Sequence, residues 1–287
     1  MNNDLSIEEK IKKDVENSGF PLEIQISSEL EKRGWRIYHN QYYIDPDLKK
    51  PKEIDLLAVK PALFELNDNK TFYIMFFTLI IECKKSSKHP WVFFTRKRQT
   101  HDDPEFTFKY SANFGKEKPF RFIEEFDSYN ISQIFDLSKL HQYRTIEKAT
   151  NYYVAFTKPG EKISRQIFEA VNSVFLALKN EKIKQDSKFL KILEIPKIFF
   201  CIFQPIIILE GELFQINLEK DDFKVERAAY IPLILNSWDD NIDRVLIDVV
   251  NRKSVNDFFN LIEKDFEFLK QKFHSIKFKK FDAPVLS

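Results

Sequence analysis

Residues 72–85 read FYIMFFTLIIECKK, an apolar run that turns charged only at its end. A strand that is apolar on both faces belongs at the centre of a sheet covered on two sides. Side chains two apart on a strand share a face, so Glu82 and Lys84 project together while Cys83 points the opposite way. Upstream, Glu53 to Lys60 reads as another strand and carries Asp55, and Trp35 to Ile44, rich in aromatic and β-branched residues, reads as the strand before it. Asp45-Pro46-Asp47 and Lys49-Lys50-Pro51 supply the turn between them, while Pro61 and Asn67-Asp68-Asn69 break the chain before the apolar run.

Two helices precede these strands. Ser6 and Glu9 form a capping box, and Ile7, Ile11 and Val15 recur at helical spacing until Gly19. A second helix is expected from Pro21 to Arg33, with Leu22, Ile26 and Leu30 as its apolar stripe. Glu23 borders that stripe and so points toward the interior.

Downstream, the stretch from Ser86 to about Ser132 holds Pro90, Pro104, Gly115 and Pro119 and reads as loops and an insertion. A helix is expected over 134–149, a strand over 152–157 and a helix whose stripe runs from Ile163 to Leu178. Strands are then expected over 198–209, 213–218, 225–235 and 245–250, with a tight turn at Glu210-Gly211-Glu212. A last helix, capped by Ser254, presents Val255, Phe258, Phe259, Ile262, Phe266, Leu269 and Phe273 on one face. The charged stretch 179–188 is the best candidate boundary. It separates a core over 1–180 from C-terminal strands and a long helix over 181–287, which complete the same domain or recognise a partner.

With 287 residues, 43% apolar and 31% charged, the chain reads as globular rather than disordered. Lys+Arg 45 against Asp+Glu 44 leaves a net charge of +1, so any claim of nucleic-acid binding has to come from local charge. The two cysteines form no metal or redox motif, the N-terminus has no apolar leader, and the longest apolar run, Ile198 to Leu209, is interrupted by Gln204 and Pro205. A reducing cytoplasm and no membrane are therefore expected. Five glycines exclude a glycine-rich phosphate loop, and the five histidines are scattered without ligand spacing.

Glu23, Asp55, Glu82 and Lys84 make a poor core and a good metal site. Carboxylate oxygens suit Mg²⁺ or Mn²⁺, which keep several waters, and a nearby lysine can orient an attacking water. Other acidic-x-Lys triplets, such as Glu8-x-Lys10 and Asp222-x-Lys224, read as surface charge. The triplet at Glu82 differs in its apolar approach and in the strand Asp and helical Glu that precede it.

The arrangement resembles the PD-(D/E)xK nuclease superfamily, the restriction-endonuclease-like fold. Phe20-Pro21-Leu22-Glu23 matches the helical acidic motif, Glu53-Ile54-Asp55 the first strand motif, and Ile81-Glu82-Cys83-Lys84 the ExK motif, so the resemblance covers about residues 20–88. It departs from the pattern in having Ile54 rather than Pro before Asp55. Gln142 and Tyr143 resemble the helical Gln and Tyr of some relatives, but they lack the Q-x-x-x-Y spacing and are not placed in the site.

The resemblance implies an α/β fold with a mixed central β-sheet flanked by helices and an additional C-terminal α+β portion. It implies that Asp55, Glu82 and the Cys83 backbone carbonyl bind Mg²⁺ or Mn²⁺, that Glu23 binds or orients the metal and its water, and that Lys84 positions the nucleophile or stabilises the transition state. The expected activity is hydrolysis of phosphodiester bonds, with DNA the expected substrate, in restriction, antiviral (phage) defence or repair. The alternative is a non-catalytic or partner-dependent nucleic-acid-binding module on the same fold. A homodimer or a partner subunit fits either.

Lys85, Lys88, Arg96, Lys97 and Arg98 follow the motif with no acidic residue before Asp102, and Trp91, Phe93 and Phe94 are interleaved with them. They read either as a loop gripping a nucleic-acid backbone, its aromatics free to stack, or as a basic rim whose aromatics are core.

Overall fold

The computed structural model describes residues 6–45, 48–65, 72–97, 108–113, 136–158, 161–189, 197–219, 222–239 and 242–275. The chain opens with α1 (Ile7–Asn17), whose Ser6–Glu9 capping box is formed in both directions, and α2 (Phe20–Lys32), which carries Pro21 in its first turn. Gly34, at φ 81°, takes the left-handed turn out of α2 that a β-carbon would oppose.

The hairpin of β1 (Arg36–Ile44) and β2 (Pro51–Glu65) follows. Its turn is clamped by Asp45, whose carboxylate accepts the Leu48 N–H at 3.0 Å and pairs with Lys52 at 2.6 Å. Pro61 does not end β2. Pairing with β1 stops at Arg36↔Val59, so beyond that point β2 bonds only to its other neighbour and the missing proline N–H costs nothing.

That neighbour is β3 (Phe72–Lys97), which extends well past the expected end at Lys85. Three further elements follow: β4 (Phe108–Asn113), the single turn α3 (His141–Arg144) and β5 (Glu147–Val154). Of the helix expected over 134–149, the described residues hold a 3₁₀ turn (Leu137–Lys139) and the single turn α3, and its last three residues belong to β5, because 147–154 pairs with the far end of β3, a partner that local periodicity does not reveal. A 3₁₀ turn (Lys162–Arg165) leads into α4 (Gln166–Phe189). The charged stretch expected as a boundary is the last turns of this helix. The chain ends with β6 (Lys197–Asn217), β7 (Val225–Arg227), β8 (Tyr230–Asp239), β9 (Ile242–Asn251) and α5 (Val255–Ser275). A 3₁₀ turn (Arg252–Ser254), capped by the Asn251 side chain, which accepts the Lys253 N–H at 2.9 Å, leads into α5, so Ser254 lies in that turn.

These nine strands form one mixed sheet in the order β1-β2-β3-β5-β8-β9-β6-β4, with β7 beside β6. β3 and β6 also run parallel to each other, which closes the circuit β3-β5-β8-β9-β6. The strands of 181–287 therefore share a sheet with those of 1–180. Alternate side chains of the sheet feed two cores. One lies under α2 and α5 and includes Leu22, Ile26, Leu79, Ile81 and Phe266; the other lies under α4 and includes Ile80, Val171, Val174 and Ile207. No helix among the described residues is long and apolar enough to cross a membrane.

The expected loop beginning at Ser86 is a local bulge. Ser86 pairs with Gly211 and Trp91 with Leu213, so residues 87–90 stand opposite Glu212 alone. The Ser86 hydroxyl donates to the His89 carbonyl at 2.7 Å and holds the bulge closed. Trp91 and Phe93 then re-enter the sheet fully buried, so these two aromatics are core. Residues 98–107 and 114–132 of the expected insertion lie outside the described residues.

Nor is there a tight turn at 210–212: β6 runs straight through it. Gly211 is needed because a β-carbon there would come within 2.5 Å of the Ser86 backbone oxygen. Gly211→Ala is expected to cost about 1–3 kcal/mol by forcing the two strands apart, read as a lower denaturant midpoint. An unchanged midpoint would show that the strands separate freely.

Candidate active site

Pairing between β2 and β3 ends at Leu56↔Ile81, and β5 takes up the same edge of β3 only at Trp91. Between these points the edge of β3 lacks a paired neighbour strand among the described residues, and Glu82, Cys83 and Lys84 lie at the start of that gap. The Asp55 carboxylate fills the first vacated position: its Oδ2 accepts the Cys83 backbone N–H at 2.6 Å. A side chain thus replaces a ladder bond where the strands part, and the aspartate is fixed against the ExK segment.

Glu82, only 5% exposed, turns toward α4. Its Oε2 accepts the Ser173 hydroxyl at 2.9 Å, and its Oε1 forms an ion pair with the Lys84 ammonium. The Tyr43 hydroxyl stands 3.5 Å from Ser173 Oγ and extends the line to β1. Glu23 approaches from α2, half-buried and within electrostatic reach of Asp55 and Lys84. The Cys83 thiol points into the core beneath α2, where burial and the fields of Asp55, Glu23 and Glu82 hold it in the neutral form.

Burial pushes Glu82 up to about 7, helped by Asp55 and opposed by Lys84 and Ser173. Asp55 is also raised, by burial first, against the pull of the Cys83 N–H and Lys84. Glu23 is raised by burial and by Asp55 and Glu53. For Lys84, burial pulls downward, but the carboxylates of Glu82 and Asp55 outweigh it and hold the ammonium charged. Three crowded carboxylates thus share one cation, an arrangement that favours additional positive charge.

No protein-family model, no curated protein and no solved structure matches the chain. Among the described residues no group of three or more His, Cys, Asp or Glu side chains is drawn together as a ready metal cage. Mg²⁺ does not require one, because it binds through one or two carboxylates and keeps its waters. Asp55 and Glu82, with the Cys83 carbonyl, fit that donor set.

The basic residues after the motif do not form one rim. Lys85 donates to the Glu16 carbonyl at 2.7 Å and pairs with Glu210 at 3.5 Å, which ties α1 to the sheet. Lys88 is exposed on the bulge. Arg96 and Lys97 sit on the far limb of β3, where the Arg96 guanidinium donates to the Lys97 carbonyl at 3.2 Å. Arg98 lies outside the described residues.

Sequence reasoning missed two α4 residues. Gln166 donates to the Lys85 carbonyl at 3.0 Å and accepts the Trp91 indole N–H at 3.2 Å, bracing β3 across its bulge. Ser173 interrupts the stripe of Ala170, Val171 and Val174, and a small polar residue at that point was the available signal. Ser173→Ala leaves a buried Glu82 oxygen without its donor and is expected to lower stability by about 1–3 kcal/mol. A urea midpoint equal to wild type would mean that Glu82 does not depend on it.

Gln142 lies elsewhere, in a closed polar cluster. Its amide donates to Asp248 Oδ2 at 2.8 Å, and the Gln204 amide donates to the same oxygen at 2.5 Å. His141 bridges Asp265, through Nδ1, and Asp248, through Nε2 at 3.3 Å. Burial disfavours its charge, yet the two carboxylates raise it to about 9.

Proposed function

We propose that the chain is a divalent-metal-dependent nuclease of the PD-(D/E)xK type that hydrolyses phosphodiester bonds in DNA. The observation that carries this reading is the Asp55 carboxylate, bonded to the Cys83 N–H where β2 and β3 part, beside the Glu82–Lys84 ion pair. Asp55, Glu82 and the Cys83 carbonyl hold Mg²⁺ or Mn²⁺, and Glu23 orients the attacking water. When bound, the metal supplies Lewis-acid stabilisation of the phosphoryl oxygens and lowers the pKa of a bound water. The Lys84 ammonium, kept charged and aimed by Glu82, donates to a phosphate oxygen as negative charge grows there. The water oxygen bonds to phosphorus and gives up a proton to solvent, while the bond to the departing oxygen breaks and that alkoxide takes a proton from solvent to leave as the alcohol.

The test is cleavage of supercoiled plasmid and single-stranded DNA with Mg²⁺, Mn²⁺ or EDTA, beside Lys84→Ala and Asp55→Ala. Cutting that needs metal and fails in both variants is the expected result. Equal inertness of wild type and variants, with duplex binding retained, would overturn it in favour of a binding module.

A further inference from the structure

Folding alone gives Phe156 no reason to be phenylalanine. Its φ is 61°, in the left-handed region where a β-carbon crowds the backbone and a bulky side chain is disfavoured. Among the described residues the other non-glycine positions at positive φ are Asn40, Lys49 and Asp136, polar residues in turns or at a strand position. An aromatic ring held in this conformation would be explained if it were buried, but Phe156 is 79% exposed. Glycine or asparagine would make the same turn with less strain and less apolar surface in water.

The turn is firmly attached to the bulge that follows the candidate site. The Ala155 N–H donates to the Pro90 carbonyl at 2.9 Å, and the His89 ring nitrogen Nδ1 lies 3.3 Å from the Ala155 carbonyl oxygen. The Thr157 hydroxyl donates to the Val154 carbonyl at 3.0 Å. Lys88 on the bulge, Lys158 just after the turn, and Lys162 and Arg165 in the 3₁₀ turn before α4 are all exposed. None of the four forms an ion pair with a described residue, and they outnumber the nearby Glu161 and Glu169. An exposed ring on a turn whose neighbouring segments, the bulge and the 3₁₀ turn, carry exposed cations paired with no described residue is a combination that suits single-stranded nucleic acid, with a base on the ring face and phosphates on the cations. Bases in a duplex are already stacked on each other and leave no face for the ring.

We infer that Phe156, with Lys88, Lys158, Lys162 and Arg165, is a stacking platform for an unpaired base of a single-stranded nucleic acid. The inference rests on the nuclease reading for its substrate class and adds the form of that substrate. It is tested by the anisotropy of a fluorescein-labelled oligothymidylate and a matching duplex, measured in EDTA, where metal-dependent cutting is silent. Phe156→Ala is expected to weaken single-strand binding about 5- to 100-fold and duplex binding far less. Phe156→Trp keeps the affinity, and its fluorescence is quenched on binding. Phe156→Gly loses the affinity while its melting temperature holds or rises, which a packing role would not allow.

Unchanged affinity in Phe156→Ala, absence of single-strand binding by wild type, or a fall in the melting temperature of Phe156→Gly would each overturn the platform. None of these outcomes touches the nuclease reading, which stands or falls on metal-dependent plasmid cutting.

Discussion

Asp55→Asn is expected to lower the rate of metal-dependent cleavage by roughly 10³-fold, since several kcal/mol of charge stabilisation is lost with the metal and each 1.36 kcal/mol is tenfold. The substitution keeps the shape of the side chain and leaves an amide oxygen able to accept the Cys83 N–H, which Asp55 now takes at 2.6 Å. The fold is therefore retained, and the loss falls on chemistry. Asp55→Ala loses the same activity and also orphans the Cys83 N–H, at a further cost of about 1–3 kcal/mol in stability. Lys84→Ala removes the cation proposed to donate to the phosphate and is expected to lose about 10²–10³-fold. Single-turnover plasmid nicking, beside melting of each variant, checks all three. Asp55→Asn cutting at the wild-type rate would remove Asp55 from the site.

The largest expected effect on stability lies away from that site. His141→Ala leaves the fully buried Asp248 and the nearly buried Asp265 facing one another without their shared cation. Removing one partner from a buried charge network costs about 3–5 kcal/mol. The groups around the imidazole come from four elements besides its own: Asp248 on β9, Asp265 on α5, Gln204 on β6 and Tyr230 on β8, whose ring meets the imidazole edge-on.

The pH dependence follows from the raised histidine. Its pKa is about 9 in the folded chain against 6.5 as the ordinary value. The stabilisation is therefore fully present below pH 6.5 and is lost as pH rises through about 9. The gap in denaturant midpoint between wild type and His141→Gln should be widest near pH 6 and narrow steadily toward alkaline pH. A gap that stays constant or widens with pH would show that His141 is neutral in the cluster.

The parts of this molecule that depend on near neighbours in sequence were legible in it. The capping box of α1, the Pro21 start of α2 and the stripe of α4 are set by contacts within a few residues. The shared face of Glu82 and Lys84 follows from the strand period alone, and the structure joins them in an ion pair. Gln204 stood out as a polar residue interrupting the apolar run 198–209, although nothing local said that it meets Asp248.

What the tertiary structure decided depends on partners far along the chain. β3 continues past Ser86 because β6 and β5 receive it, Gly211 lies within a strand because β3 crowds it, and 147–154 is a strand because Trp91 to Lys97 offers an edge. Ser173 reaches Glu82, and His141 reaches Asp248 and Asp265, only once helices and sheet are packed. The physical reason is common to all of them. Helical caps and strand alternation are stabilised within one segment, whereas strand continuation and buried polar contacts gain their free energy from whichever surface the rest of the chain brings against them.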